Sequence, residues 1–179
     1  MSLLLRPVPV SRGVAAVAAL LVAITPVLLL GSTQPIRARR AMVVSQDEIA
    51  SRVGDKVMRD GGNAIDAAVA TAFALAVTYP TAGNIGGGGF LVYRPAEGEP
   101  VAYDFRETAP GRAFPTMFMR RGKYDRARHH DSHLAVGVPG TVAGLHLAWS
   151  EHGSLSWHRL VEPAVTLARD GFTMSDALA

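Results

Sequence analysis

The stretch Thr81–Pro95, TAGNIGGGGFLVYRP, sets four consecutive glycines immediately before a run that reads as a β-strand. Each glycine loses more backbone entropy on ordering than any other residue, so Gly86, Gly87, Gly88 and Gly89 must serve a tight turn, a close approach of two backbones or a cradle for a ligand. The pattern argues against a phosphate loop. No Gly-Lys-Ser/Thr follows, the G-x-G-x-x-G spacing fails beyond Gly88, and the run leads into a strand instead of opening a helix. A backbone contact and a pocket wall both remain open.

Just upstream, AIDAAVATAFALAVTY (Ala64–Tyr79) is small and apolar nearly all round, as suits a helix buried within a layered fold, and it is too short to cross a bilayer. Asn63 followed three residues later by Asp66 is a capping-box pattern, so Asp66 reads as a cap and not as a catalytic carboxylate. Before it, QDEIASRVGDKVMRDGG spaces Ile49, Val53, Val57 and Met58 for a helix that Gly61 and Gly62 stop, and Ala41–Ser45 (AMVVS) is a short β-prone run.

Downstream of the glycines, GFLVYRP and VAYDFRE flank the polar turn AEGEP and predict a β-hairpin. Residues 111–131 read as irregular, with RRGKYDRARHH as a basic surface loop. Pro139 suits the first turn of a helix whose apolar face is Val142, Leu145 and Trp149 and which Gly153 closes. Ser156 opens a further helical stretch. Pro163 is expected to split it into a short turn over Trp157–Val161 and a fresh helix over Pro163–Asp170, closed by Gly171, and SDALA begins another helix. The order of elements predicts an α/β chain of the α+β kind with antiparallel pairing.

The 179 residues, 49% of them apolar, suffice for one domain's core. The first forty belong apart. Arg6 and Arg12 precede an apolar run from Val14 to Leu30, the layout of a secretory signal or a single membrane anchor, so residues 1–40 are read as targeting segment and linker and 41–179 as the folded part. The expectation is an exported protein, periplasmic or extracellular, or one held at a membrane through residues 14–30. The chain has no cysteine, which removes disulfides and thiol catalysis. The net charge of +3 comes largely from arginines, some of them in the N-terminal segment, and is weak support for a nucleic-acid partner; none is expected.

Two motifs invite chemistry. In YDFRETAP, Arg106 follows the strand end at Phe105, where a guanidinium on a rigid element can grip a carboxylate through two parallel hydrogen bonds; an internal ion pair with Asp104 or Glu107 is the competing reading. HHDSH (His129–His133) has ligand types but no companion set, so it reads as a solvated turn, and neither metal nor cofactor is expected. Scattered serines, histidines and acids do not define a triad, which is a matter of geometry.

The segments VVSQDEIASRVGDKVMRDGGNAIDAAVATAFALAVTYPTAGNIGGGGFLVYR, AYDFRETAP, GVPGTVAGLHLAWSEHG and PAVTLARDGFTMSDALA resemble, in that order, the start of the large subunit of γ-glutamyltranspeptidases, from about Met42 to Ala179. The resemblance implies part of an N-terminal-nucleophile hydrolase fold, a four-layer αββα sandwich, made as a precursor that cuts itself into large and small subunits. It implies transfer of the γ-glutamyl group of glutathione, or of other γ-glutamyl compounds, to water or to an amino acid or peptide. The nucleophile is a threonine at the start of the small subunit, with its own α-amine as base.

It further implies that Arg106, the arginine of the family's D-F-R-E motif, binds the substrate's α-carboxylate. Gly86–Gly89 would turn the chain into a core strand beside the glutamyl pocket; they are not the family's oxyanion glycines. No threonine here matches the nucleophile motif, so the chain is expected to be an N-terminal fragment, inactive without its small subunit. The alternative is a non-catalytic exported or anchored binding protein derived from the same family.

Overall fold

Local sequence sets the first two helices. In the computed structural model, which describes residues 35–175 and 178, Asp47 caps helix α1 (Glu48–Arg59) by accepting a hydrogen bond from the Ala50 amide at 2.9 Å. Glu48 lies in its first turn and Lys56 and Arg59 in its last, each opposing the helix dipole. Gly61, at φ 96°, takes the left-handed conformation that ends the helix at low cost. The chain divides into two units, residues 1–39 and 40–179; residues 35–39 of the first carry no regular structure. The apolar run Val14–Leu30 lies outside the described residues. Among the described residues no helix is long and apolar enough to cross a membrane.

Helix α2 (Ala64–Thr78) begins with the capping box read from the sequence. Asn63 Oδ1 accepts from the amides of Ile65 and Asp66, and Asp66 Oδ2 accepts from the Asn63 amide. Asp66 does more than cap. Fully buried, its carboxylate also accepts from the Ser154 amide and hydroxyl and from the Leu155 amide, 88 and 89 residues away in the chain. One side chain thereby joins the start of α2 to the turn between helix α4 (Thr141–His152) and helix α5 (Trp157–Asp170).

The apolar α2 is the centre of the core. Ile65, Val69, Ala70 and Phe73 pack with Val57 of α1, Leu145 of α4 and Leu160 of α5. The Phe73 ring meets Trp157 edge to face at 5.5 Å, a favoured aromatic geometry. Strands β1 (Phe90–Tyr93) and β2 (Val101–Asp104) form the expected antiparallel hairpin, with Phe90 opposite Asp104 and Tyr93 opposite Val101. Leu91, Tyr93 and Tyr103 face the core while Phe90 and Val92 face outward. The Tyr103 hydroxyl donates to Glu151 Oε2 of α4, tying the hairpin to that helix.

Four local expectations are corrected. AMVVS is extended but forms no strand, because no neighbouring strand offers it a ladder among the described residues; Val43 alone packs on the core. Residues 111–131 are not irregular throughout: β3 (Met119–Arg120) and β4 (Lys123–Tyr124) form a small hairpin followed by the short helix α3 (Arg126–His130). The buried face of α4 is Thr141, Gly144, Leu145 and Ala148, with Val142 exposed, since two small residues there admit the hairpin. Helix α5 runs through Pro163 unbroken; the missing amide would have bonded the Arg159 carbonyl, and burial of Leu160 and Ala164 on either side offsets the loss. The helix expected over SDALA falls largely outside the described residues.

Replacing Asp66 with Ala strands three buried or half-buried amides, and should cost about 3 kcal/mol or more of stability, read as a shift of the denaturant midpoint at constant slope. A loss below about 0.5 kcal/mol would show that the carboxylate is not holding the helices together. Burial, together with the hydrogen bond to Glu151 and that residue's charge, raises the Tyr103 pKa from 10.0 to about 12. A raised folded-state value stabilises the protein fully below the unfolded value and ceases to do so as pH climbs through the folded one. Stability should therefore fall between pH 10 and pH 12, and Tyr103→Phe should flatten that decline in alkaline unfolding curves.

Candidate functional site

Three backbone segments converge where the hairpin meets α4. The β1–β2 ladder continues one residue beyond the strands: the Phe105 amide donates to Gly89 O at 3.0 Å, and Gly89 returns the bond at 3.4 Å. Two residues past Arg106, Thr108 and Val138 exchange backbone bonds at 3.2 and 2.8 Å. Arg106 is thus held from both sides by paired backbone. Its own amide donates to Asp104 Oδ1 at 3.1 Å.

The glycine run forms the third segment. None of its members has positive φ, so a left-handed turn is not their reason. A Cβ on Gly88 would stand 2.7 Å from the Arg106 Cα and the Glu107 nitrogen, a clash with backbone that no side-chain motion relieves. Gly87 O accepts from the first amides of α4, those of Gly140 at 2.8 Å and Thr141 at 3.1 Å. Asn84 Oδ1 accepts from the Gly87 amide at 2.8 Å and from the Thr141 hydroxyl at 2.6 Å. Beside this junction lies an open cleft of about 460 Å³ whose walls include Leu75, Asn84, Gly88, Phe105, Leu145 and Thr141.

Arg106 is exposed and leaves the chain one residue beyond Phe105, outside the cleft lining itself. Among the described residues its guanidinium makes no ion pair, and the neighbouring Asp104 carboxylate receives the backbone amide instead. Gly88 borders the cleft, whereas nothing crowds Gly86. Asp66 lies in the helix junction described above. His129 and His130 end α3 and His133 begins a separate 3₁₀ turn; the described residues hold no metal-binding cluster. Neither Asn84 nor Thr141 stands out in the sequence as a site residue. An Asn three residues before a glycine whose amide it accepts is a local turn signal, but its bond to Thr141 spans 57 residues.

The residues of this junction lie within a family match. The family model for Gamma-glutamyltranspeptidase covers residues 50–179. The chain belongs to the gamma-glutamyltranspeptidase family. It is 51% identical over 146 residues to the glutathione hydrolase proenzyme of Escherichia coli, covering 81% of this chain and 25% of that protein. The crystal structure of Helicobacter pylori gamma-glutamyltranspeptidase superposes with a TM-score of 0.77 at 46% identity, covering 80% of this chain and 42% of that one. The Pseudomonas nitroreducens gamma-glutamyltranspeptidase gives a TM-score of 0.74 at 43% identity, over 79% and 42% of the two chains.

The chain thus spans about a quarter of the length of the curated relatives it matches. Its mixed helix-and-strand architecture is that of the family's solved structures over the same region. The described residues supply two two-stranded sheets.

The crowding predicts opposite outcomes for neighbouring glycines. Gly88→Ala should destabilise the chain by about 2 kcal/mol or more, because backbone must move, whereas Gly86→Ala should fall within about 0.5 kcal/mol of wild type. Thermal melts of the two variants provide the check; equal effects would place the constraint elsewhere.

Proposed function

We propose that this chain is the N-terminal part of the large subunit of a γ-glutamyltransferase or glutathione hydrolase, and that Arg106 holds the α-carboxylate of the γ-glutamyl donor. The observation that carries the reading is an exposed guanidinium with no ionic partner among the described residues, mounted on backbone fixed on both sides and next to a cleft. A carboxylate arriving there meets a donor fork with no internal acid to displace. Holding the glutamyl end fixes where its γ-carbonyl lies, which is the positional part of catalysis.

In this proposal the small subunit of the same precursor, outside these 179 residues, supplies a threonine. Its hydroxyl attacks the γ-amide carbonyl and gives its proton to the threonine's own α-amine, which passes it to the departing amine. A γ-glutamyl ester forms, and water or an amino acid's amine then resolves it, regenerating the hydroxyl. The same remaining sequence would complete the αββα layers around β1 and β2, whose outward residues Phe90 and Val92 are 66% and 75% exposed here. The apolar residues 14–30 would direct the precursor to, or hold it at, a membrane, giving an exported enzyme.

The test is hydrolysis of a γ-glutamyl anilide by the full-length precursor after processing. Arg106→Lys keeps the charge but loses the bidentate geometry, and should raise KM by about 10- to 100-fold, the loss of a charge-assisted pair worth roughly 1.5–3 kcal/mol. Unchanged KM would end the assignment of Arg106 as the carboxylate anchor.

A further inference from the structure

The position of Arg106 depends on a side chain distant from it. Gly88 lies against the Arg106 Cα with no room for a methyl group, so the placement of the glycine run decides where the arginine's backbone can sit. The run is in turn fixed at Gly87 by both of its polar groups. Its carbonyl takes two amides from the start of α4, and its amide goes to Asn84 Oδ1. That same oxygen receives the hydroxyl of Thr141, which is buried at 7% exposure. Asn84 therefore joins the loop after α2, the glycine run and the first turn of α4 through one acceptor atom.

Resting on the carboxylate-anchor reading above, we propose that Asn84, with Thr141, is a positioning residue for Arg106 that acts through Gly87 and Gly88. Its amide oxygen accepts two hydrogen bonds at once, which sets the lateral position of the glycine run against residues 105–107. Without that oxygen, Gly87 keeps its grip on α4 but can pivot about it, and the surface on which Arg106 rests moves. Fixed geometry at the anchor then degrades although the anchor residue is intact. Among the described residues Asn84 Nδ2 has only an exposed local partner, Ala82 O at 3.2 Å, so the oxygen is the working atom.

The experiment compares two donors in the processed full-length protein: a γ-glutamyl anilide, and the γ-aminobutyryl anilide that differs only in lacking the α-carboxylate. Wild type should favour the first strongly in kcat/KM. Asn84→Ala should reduce that preference by about five- to twenty-fold, chiefly through KM for the carboxylate-bearing donor. Asn84→Asp retains the acceptor oxygen and should recover most of it, while Thr141→Val, which removes one of the two bonds, should give a smaller shift in the same direction. If Asn84→Ala does not fold, the Asp and Val variants carry the comparison.

Equal losses on both donors, or a lowered melting temperature with the preference intact, would reduce Asn84 to a stabilising residue and overturn the proposal. An Asp variant no better than Ala would also overturn it, since Asp keeps the acceptor oxygen to which the role is assigned. A wild-type enzyme indifferent to the α-carboxylate would instead overturn the reading of Arg106.

Discussion

A carboxylate sealed from water is the constraint around which the helices assemble. Asp66 is fully buried, and an acidic side chain in that setting is tolerated only where its oxygens are matched by donors. The donors come from two places far apart in sequence: the amide of Asn63, which opens α2, and the amides and hydroxyl of Ser154–Leu155, which separate α4 from α5. Neither set alone satisfies it. The direction in which α4 leaves its last turn and α5 begins is therefore coupled to the start of α2. Asn63 closes the same junction from the other side, its Nδ2 donating to His152 O. Hydrophobic burial of Ile65, Val69 and Leu160 supplies the drive for packing, but burial is non-directional and would accept other arrangements. The polar junction selects one.

With α4 fixed at its C-terminal end, its N-terminal end falls against the hairpin, and there absent side chains decide the fit. Gly140 and Gly144, one turn apart on α4, leave no space for a Cβ because Phe105 occupies it, with the Phe105 carbonyl at the first and its ring at the second. Gly88 makes a similar close approach to the same segment, at the Arg106 Cα, the Glu107 nitrogen and the Phe105 carbonyl. Residues 105–107 pack against both the glycines of α4 and the glycine run, with no side chain between the backbones at Gly88 and Gly140. Such a joint has few rotamers with which to absorb a shift, and small displacements pass through it without damping.

The parts legible from sequence were those settled by neighbours in the chain. The capping box at Asn63 and Asp66, the glycine stops, and the hairpin over Phe90–Asp104 each follow from residues within a few positions of one another. Arg106 and the glycine run came forward through resemblance to a family more than through spacing, since pattern alone left an ion pair and a pocket wall open. The misreadings share a cause. Pro163 was expected to break a helix, yet whether a proline is tolerated depends on the burial of Leu160 and Ala164 against other helices. Val142 is apolar and at helical spacing with Leu145, but the face of α4 that packs is the one with glycine, and Val142 lies exposed. AMVVS has strand propensity without a partner to pair with, and propensity does not form a ladder. Asn84 and Thr141 are 57 residues apart, beyond any local rule.

That Arg106 has no ionic partner among the described residues follows from how its acidic neighbours are used. In an extended segment Asp104 and Arg106 share a face, so a side-chain pair between them is sterically open, and Glu107 points the other way. The chain turns after β2, and the Asp104 carboxylate takes the Arg106 amide, a local arrangement that satisfies a backbone donor at the strand's end. Glu107 is set against Gly137, its Cβ 2.9 Å from where a methyl on that glycine would stand. Neither acid pairs with the guanidinium among the described residues. An exposed pair would itself contribute only about 0–1 kcal/mol, so leaving the arginine without one costs the fold little. In the proposed role the same guanidinium would gain more, from a carboxylate bound through two aligned bonds with its water displaced. Among the described residues the fold therefore leaves an arginine uncommitted where paired backbone flanks it on both sides.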